Sequence, residues 1–94
     1  MKKKQQQKEN VLRQFEELAE SLGIKVRFEV MKKESAFFPG GWCKVKGEDM
    51  IIVNSRASIE DKVEIMGKAL GYFDLSRVYV LPAVRELLDK INQA

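Results

Sequence analysis

A single α+β domain in the order α-β-β-β-α-α is what this 94-residue chain predicts. Three observations carry that expectation. Apolar residues recur at three- and four-residue spacing in three segments, alternate with polar ones in the stretches between, and meet glycine or proline at most junctions. The expected sheet is a three-stranded antiparallel meander with helices packed on one face. A composition of 45% hydrophobic and 33% charged residues suits one compact hydrophobic core without staples.

The first helix places Val11, Leu12, Phe15, Leu18, Ala19 and Leu22 on one face, with Arg13, Glu16, Glu17 and Glu20 opposite. Asn10 is a candidate cap. Gly23 is the left-handed stop, with Ile24 closing over the last turn. The period then becomes two. Ile24, Val26, Phe28 and Val30 alternate with Lys25, Arg27 and Glu29, a half-buried strand antiparallel to the helix before it. Ahead of the helix, residues 1–8 (MKKKQQQK) have nothing apolar to bury and read as a basic disordered tail or a frayed helix start, leaving 9–94 as the domain.

After a polar connection at 31–36, Pro39-Gly40-Gly41 forces a bend or a bulge. Alternation resumes from Trp42 to Lys46, a hairpin turn follows at 46–49, and Met50 to Val53 returns. Strict alternation puts Trp42 with Lys44 and Lys46, and Cys43 with Val45, so Cys43 is expected as a buried small apolar residue. A bulge at the glycines would turn Trp42 inward instead. Ser58, with Asp61 three residues on, opens a second helix whose core stripe is Ile59, Val63, Met66, Leu70 and Phe73. Residues 74–81 fit a capped turn at Asp74 or a strand at Val78-Tyr79-Val80 equally well. Pro82 starts a last helix that buries Val84, Leu87, Leu88 and Ile91.

Chemistry is limited by what is missing. The chain has no histidine and one cysteine, Cys43. Zinc and haem sites, histidine-based triads and iron–sulfur clusters need more than that, so no metal, no cofactor and no enzymatic activity are expected. A disulfide framework is excluded, and the expected setting is a reducing cytoplasm. No apolar run has the length of a membrane span. The formal net charge of +3 is unevenly spread, with basic character in residues 1–8 and 25–46 and acidic character in 9–24 and 47–94.

Residues 50–73, MIIVNSRASIEDKVEIMGKALGYF, resemble the segment leading into the catalytic helix of ImmA/IrrE-like zinc metallopeptidases. In that family an apolar hairpin strand, often followed by Asn, runs through a short loop into a helix carrying H-E-L-G-H. Laid on this chain the motif falls on Lys68-Ala69-Leu70-Gly71-Tyr72. Leu and Gly match, while both metal ligands and the water-activating Glu are replaced. The resemblance therefore implies a zincin-like scaffold without its metal site. The GGWCK stretch at 40–44 is also similar to one in small bacterial proteins, from which no function carries over.

The candidate partner surface is Phe37, Phe38, Trp42, Lys44 and Lys46, with Lys68 and Tyr72 on the outer face of the second helix. These suit a protein partner, or a second copy that covers the free edges of a small sheet. As an alternative, Lys2, Lys3, Lys4, Lys32, Lys33, Lys44 and Lys46 offer phosphate contacts for a nucleic-acid-binding module. A further alternative is an enzyme of unusual type working through Lys68 or Cys43. Each residue also has a plain structural reading: core aromatics at the bend, a solubilising tail, and a Glu64–Lys68 helix pair.

Overall fold

The computed structural model describes the backbone of residues 2–30 and 40–93 and the side chains of 6–30 and 41–93. Helix α1 (Lys2–Ser21) leads into strand β1 (Lys25–Glu29). Strands β2 (Gly40–Val45) and β3 (Glu48–Asn54) form a hairpin, followed by helices α2 (Ile59–Leu70) and α3 (Pro82–Ile91). The α-β-β-β-α-α order is as expected.

The meander is not. Strand order is β1-β3-β2, and β1 runs parallel to β3, with Val26 opposite Ile51 and Phe28 opposite Val53. Only β2 is antiparallel to β3. The physical reason lies in Met50-Ile51-Ile52-Val53, four consecutive apolar residues that suit a central strand covered on both faces. Strand β1 carries charge at alternate positions and β2 opens on two glycines and carries Lys44, and these two take the edges.

A second correction concerns the N-terminus. Of the two readings of residues 1–8, a disordered tail or the start of a helix, α1 has the second, since it already includes Lys2 to Lys8, and Asn10 lies inside the helix instead of capping it. The C-terminal stop is as read. Gly23 has φ of +78°, its N–H donates to the Glu20 carbonyl, and the Ile24 N–H reaches back to Ala19 at 2.9 Å. This closure turns β1 back along α1 and buries Ile24.

From the register, Val26, Phe28, Ile51, Val53 and Trp42 share the face toward the helices. Helix α1 lies over β1, and α2 over β2 and β3. Fully buried Phe15, Ile51, Met66, Leu70 and Val53 form the centre of the core. Helix α3 packs on α1 and α2. The N-terminal halves of α1 and α2 are joined by Lys8 and Glu60 at 2.8 Å, and the Lys8 hydrogen bond, with the Glu60 backbone, holds that carboxyl below its usual range. Ser58 caps α2 as expected, its hydroxyl accepting from the Asp61 N–H at 3.1 Å. Residues 74–81 are neither helix nor strand: the Asp74 carboxylate accepts from the Ser76 N–H, and Val78 closes a turn on Leu75.

Helix α2 is held on its α3 side by close approach. The Asn92 carboxamide donates to the carbonyls of Gly67 at 3.0 Å and Leu88 at 2.9 Å, tying the end of α3 to the last turn of α2. A methyl at Gly71 would overlap that carboxamide, whereas one at Gly67 would lie 2.6 Å from the movable Cδ1 of Ile91. Gly71→Ala is therefore expected to lower unfolding free energy by about 1–3 kcal/mol in urea titration. Gly67→Ala should cost less, because it gains about 1 kcal/mol of helix propensity in return. The hairpin turn gives the opposite expectation. Lys46 and Gly47 both have positive φ, 53° and 81°, the geometry of a type I′ turn in which asparagine is favoured at the first position. Lys46→Asn should raise stability by about 0.5–1 kcal/mol, read as a higher melting temperature.

Candidate functional site

The edge strand β2 and the end of α2 together present one ordered aromatic surface. Pairing of Trp42 with Ile51 and of Lys44 with Asp49 puts both residues on the helix-facing side of the sheet. Trp42 stands at the rim of that side, where α2 ends. Its ring stacks on Tyr72 with centroids 5.4 Å apart and planes at 30°, and meets Phe73 edge-on at 5.7 Å and 81°. The indole Nε1 donates to Asp49 Oδ1 at 2.9 Å. Asp49 is two residues from Trp42's direct partner on β3, so this is a diagonal cross-strand contact. The tryptophan remains 39% exposed and Tyr72 73%. Trp42 thus lies on the face that alternation assigns it, partly covered by aromatics from α2.

Of the expected surface residues, Trp42 and Tyr72 come together. Lys68 lies one helical turn before Tyr72, paired with Glu64 at 3.3 Å as the plain reading expects. Lys44 follows Trp42 on β2, and Lys46 occupies the hairpin turn. Phe37 and Phe38 lie outside the described residues, as do Lys32 and Lys33. Asp49 and Phe73 belong to the site although neither was a candidate from sequence. The signal for Asp49 was its place across the hairpin from Trp42. Phe73 reads simply as the last member of a core stripe.

The Lys68–Tyr72 segment has a mixed environment. Lys68 and Tyr72 are exposed, while Ala69, at the position of the water-activating Glu in the resemblance, is 2% exposed within the core. Among the described residues, no group of three or more His, Cys, Asp or Glu is placed to hold a metal ion. Cys43 is half-buried on the sheet face opposite the helices, less covered than expected and on the other side of the sheet from Trp42. It therefore does not converge with Lys68. What the site can do chemically is stack, pack and attract negative charge.

Among the described residues, the basic side chains do not form one contiguous patch. Lys25 pairs with Glu48 at 3.1 Å, which places the hairpin turn at the C-terminal end of α1. Lys2 begins the other end of that 20-residue helix, about 30 Å away. The backbone of Lys2, Lys3 and Lys4 is helical, and their side chains lie outside the described ones. Arg27 is held by Glu29 at 2.9 Å. No helix among the described residues is long and apolar enough to cross a membrane.

No family model, no curated protein and no solved structure matches this chain.

Trp42 is the only tryptophan, so the aromatic surface has its own reporter. Tyr72→Ala is expected to increase acrylamide quenching of Trp42 and to lower stability by about 0.5–1.5 kcal/mol, the usual worth of one aromatic pair. Unchanged quenching would show that Tyr72 does not shield the indole.

Proposed function

We propose that this chain is a non-enzymatic binding protein that holds a protein partner on the Trp42–Tyr72 surface, with Lys44, Lys46 and Lys68 favouring an acidic contact. The observation that carries the reading is the exposed, ordered ring pair. Tryptophan and tyrosine dominate binding energy at protein interfaces, and rings already fixed in place lose little freedom on binding. Here Trp42 is fixed from two directions, by the Asp49 hydrogen bond and by the Phe73 edge. Large rings left open at a sheet edge gain most when another molecule covers them.

The proposal includes the ancestry of the scaffold. A hairpin strand ending in Asn54, a short loop, and a helix whose last turn and cap run through Lys68-Ala69-Leu70-Gly71, with Tyr72 just beyond, follow the order of the ImmA/IrrE-like segment. In this reading the face that holds metal in those peptidases has become a docking face here.

The test is photo-crosslinking in cells from a reactive group placed at Tyr72, with Glu86 on the outer face of α3 as the control position. A partner captured from position 72 and not from 86 is expected. Trp42→Ala should weaken its binding to purified protein by about tenfold or more. Binding unaffected by Trp42→Ala, or stoichiometric zinc with peptide turnover, would overturn the reading.

A further inference from the structure

Strand β2 ends the sheet on one side, and of the other elements only β3 and α2 touch it. Its register with β3 runs without a bulge from Gly40 to Val45. The two residues of the turn, Lys46 and Gly47, make Val45 and Glu48 the closing pair, which exchanges both hydrogen bonds. Bonding pairs alternate along an antiparallel ladder, so Cys43 and Met50 form the next one. The N–H and C=O groups of Trp42 and Lys44 therefore point away from β3. Among the described residues, no other backbone hydrogen bond takes up these four groups. Both side chains stand on the helix side of the sheet, where Trp42 stacks on Tyr72.

The charge left unpaired beside this edge is basic. Lys44 and Lys46 are exposed, and no salt bridge among the described residues engages either. Asp49, across from Lys44, accepts the Trp42 indole N–H. An extended segment laid along β2 puts its residues opposite Lys44 and Trp42 on one face, two positions apart. An acidic side chain suits the first place, and an apolar ring suits the second.

We propose that the partner held on the Trp42–Tyr72 surface adds an extended acidic–apolar strand to the free edge of β2, antiparallel to it. The inference rests on the docking reading above and specifies how the partner is held. Main-chain hydrogen bonds to Trp42 and Lys44 supply affinity, and alternate side chains supply selection. Antiparallel pairing is the more stable direction per residue. A second copy is a poor occupant, because pairing β2 with itself gathers two Lys44 and two Lys46 side chains around one seam.

A capped peptide, TETFTET, tests this on the full chain, since it sets glutamate two positions from phenylalanine in either direction. Titration followed by Trp42 fluorescence should give a Kd of about 1 mM or below, ordinary for so small an interface. Hydrogen exchange should slow at the amides of Trp42 and Lys44 and change little at Cys43, whose amide already faces Met50. Methyl groups on the glutamate and phenylalanine nitrogens, which face β2, should weaken binding by about tenfold or more. Methylation of the threonine nitrogens, which face away, should leave it within about threefold. Lys44→Glu should weaken TETFTET by about tenfold and favour TKTFTKT instead. A fluorescence change indifferent to both methylations, without amide protection, overturns the added strand and leaves the docking face standing. Absence of binding up to about 1 mM overturns the added strand as well. A crosslinked partner that is indifferent to Trp42→Ala removes the docking reading, and this proposal with it.

Discussion

The fold depends on one helix being held from two sides. Met66 and Leu70 of α2 are fully buried in the core with Ile51 and Val53 of the sheet, while Gly67 and Gly71 let the end of α3 approach to side-chain contact. Those two requirements fix the rotation of α2 about its axis. The rotation in turn sends Lys68 and Tyr72 outward, and Tyr72 meets Trp42 because the central strand carries β2 to the same place. The aromatic surface is therefore a product of core packing. Tyr72 and Phe73 sit in the turn directly after α2, where their N–H groups donate to the carbonyls of Ala69 and Leu70.

That origin bears on how the surface would bind. A site made by a strand edge and a helix end is stiff, and its stacked rings keep their geometry through contacts to Asp49 and Phe73. Stiffness of this kind favours affinity by lowering the entropy lost on association. It also places the more exposed ring of the pair, Tyr72, beyond Gly71, where α2 ends.

Much of the fold was legible in the residues. The Gly23 stop, the Ser58 cap and the core faces of all three helices follow from local chemistry and periodicity, and the structure has each of them; the hairpin turn expected at 46–49 is tighter, with Glu48 and Asp49 already in β3. Strand direction and neighbour order were not legible from alternation, because period two assigns faces without saying which strands meet. The unbroken apolar run from Met50 to Val53 was the available sign that β3 is central. Lys2 to Lys8 joins α1 although it lacks an apolar face, since glutamine and lysine are good helix formers and a helix already nucleated downstream extends at little cost. At the candidate site, sequence supplied Trp42, Tyr72 and Lys68 but not their meeting. Thirty residues separate the two rings in the chain, and no local rule relates them. Asn92 was missed for a similar reason: a polar residue near a chain end looks like solvated surface until the carbonyls it serves are known.

The strand order has a consequence for how the chain reaches this state. During synthesis β1 emerges before either of the other strands, and its neighbour among the described residues, β3, comes last of the three. The β2–β3 hairpin closes through a two-residue turn and can form on the microsecond scale, about 1–10 μs for hairpins in general. Parallel pairing of β1 must wait for that hairpin and then close the longer loop from Lys25 to Met50. Assembly thus has a built-in sequence, in which the hairpin is the template and the helix–strand unit at the N-terminus is the piece that docks on it.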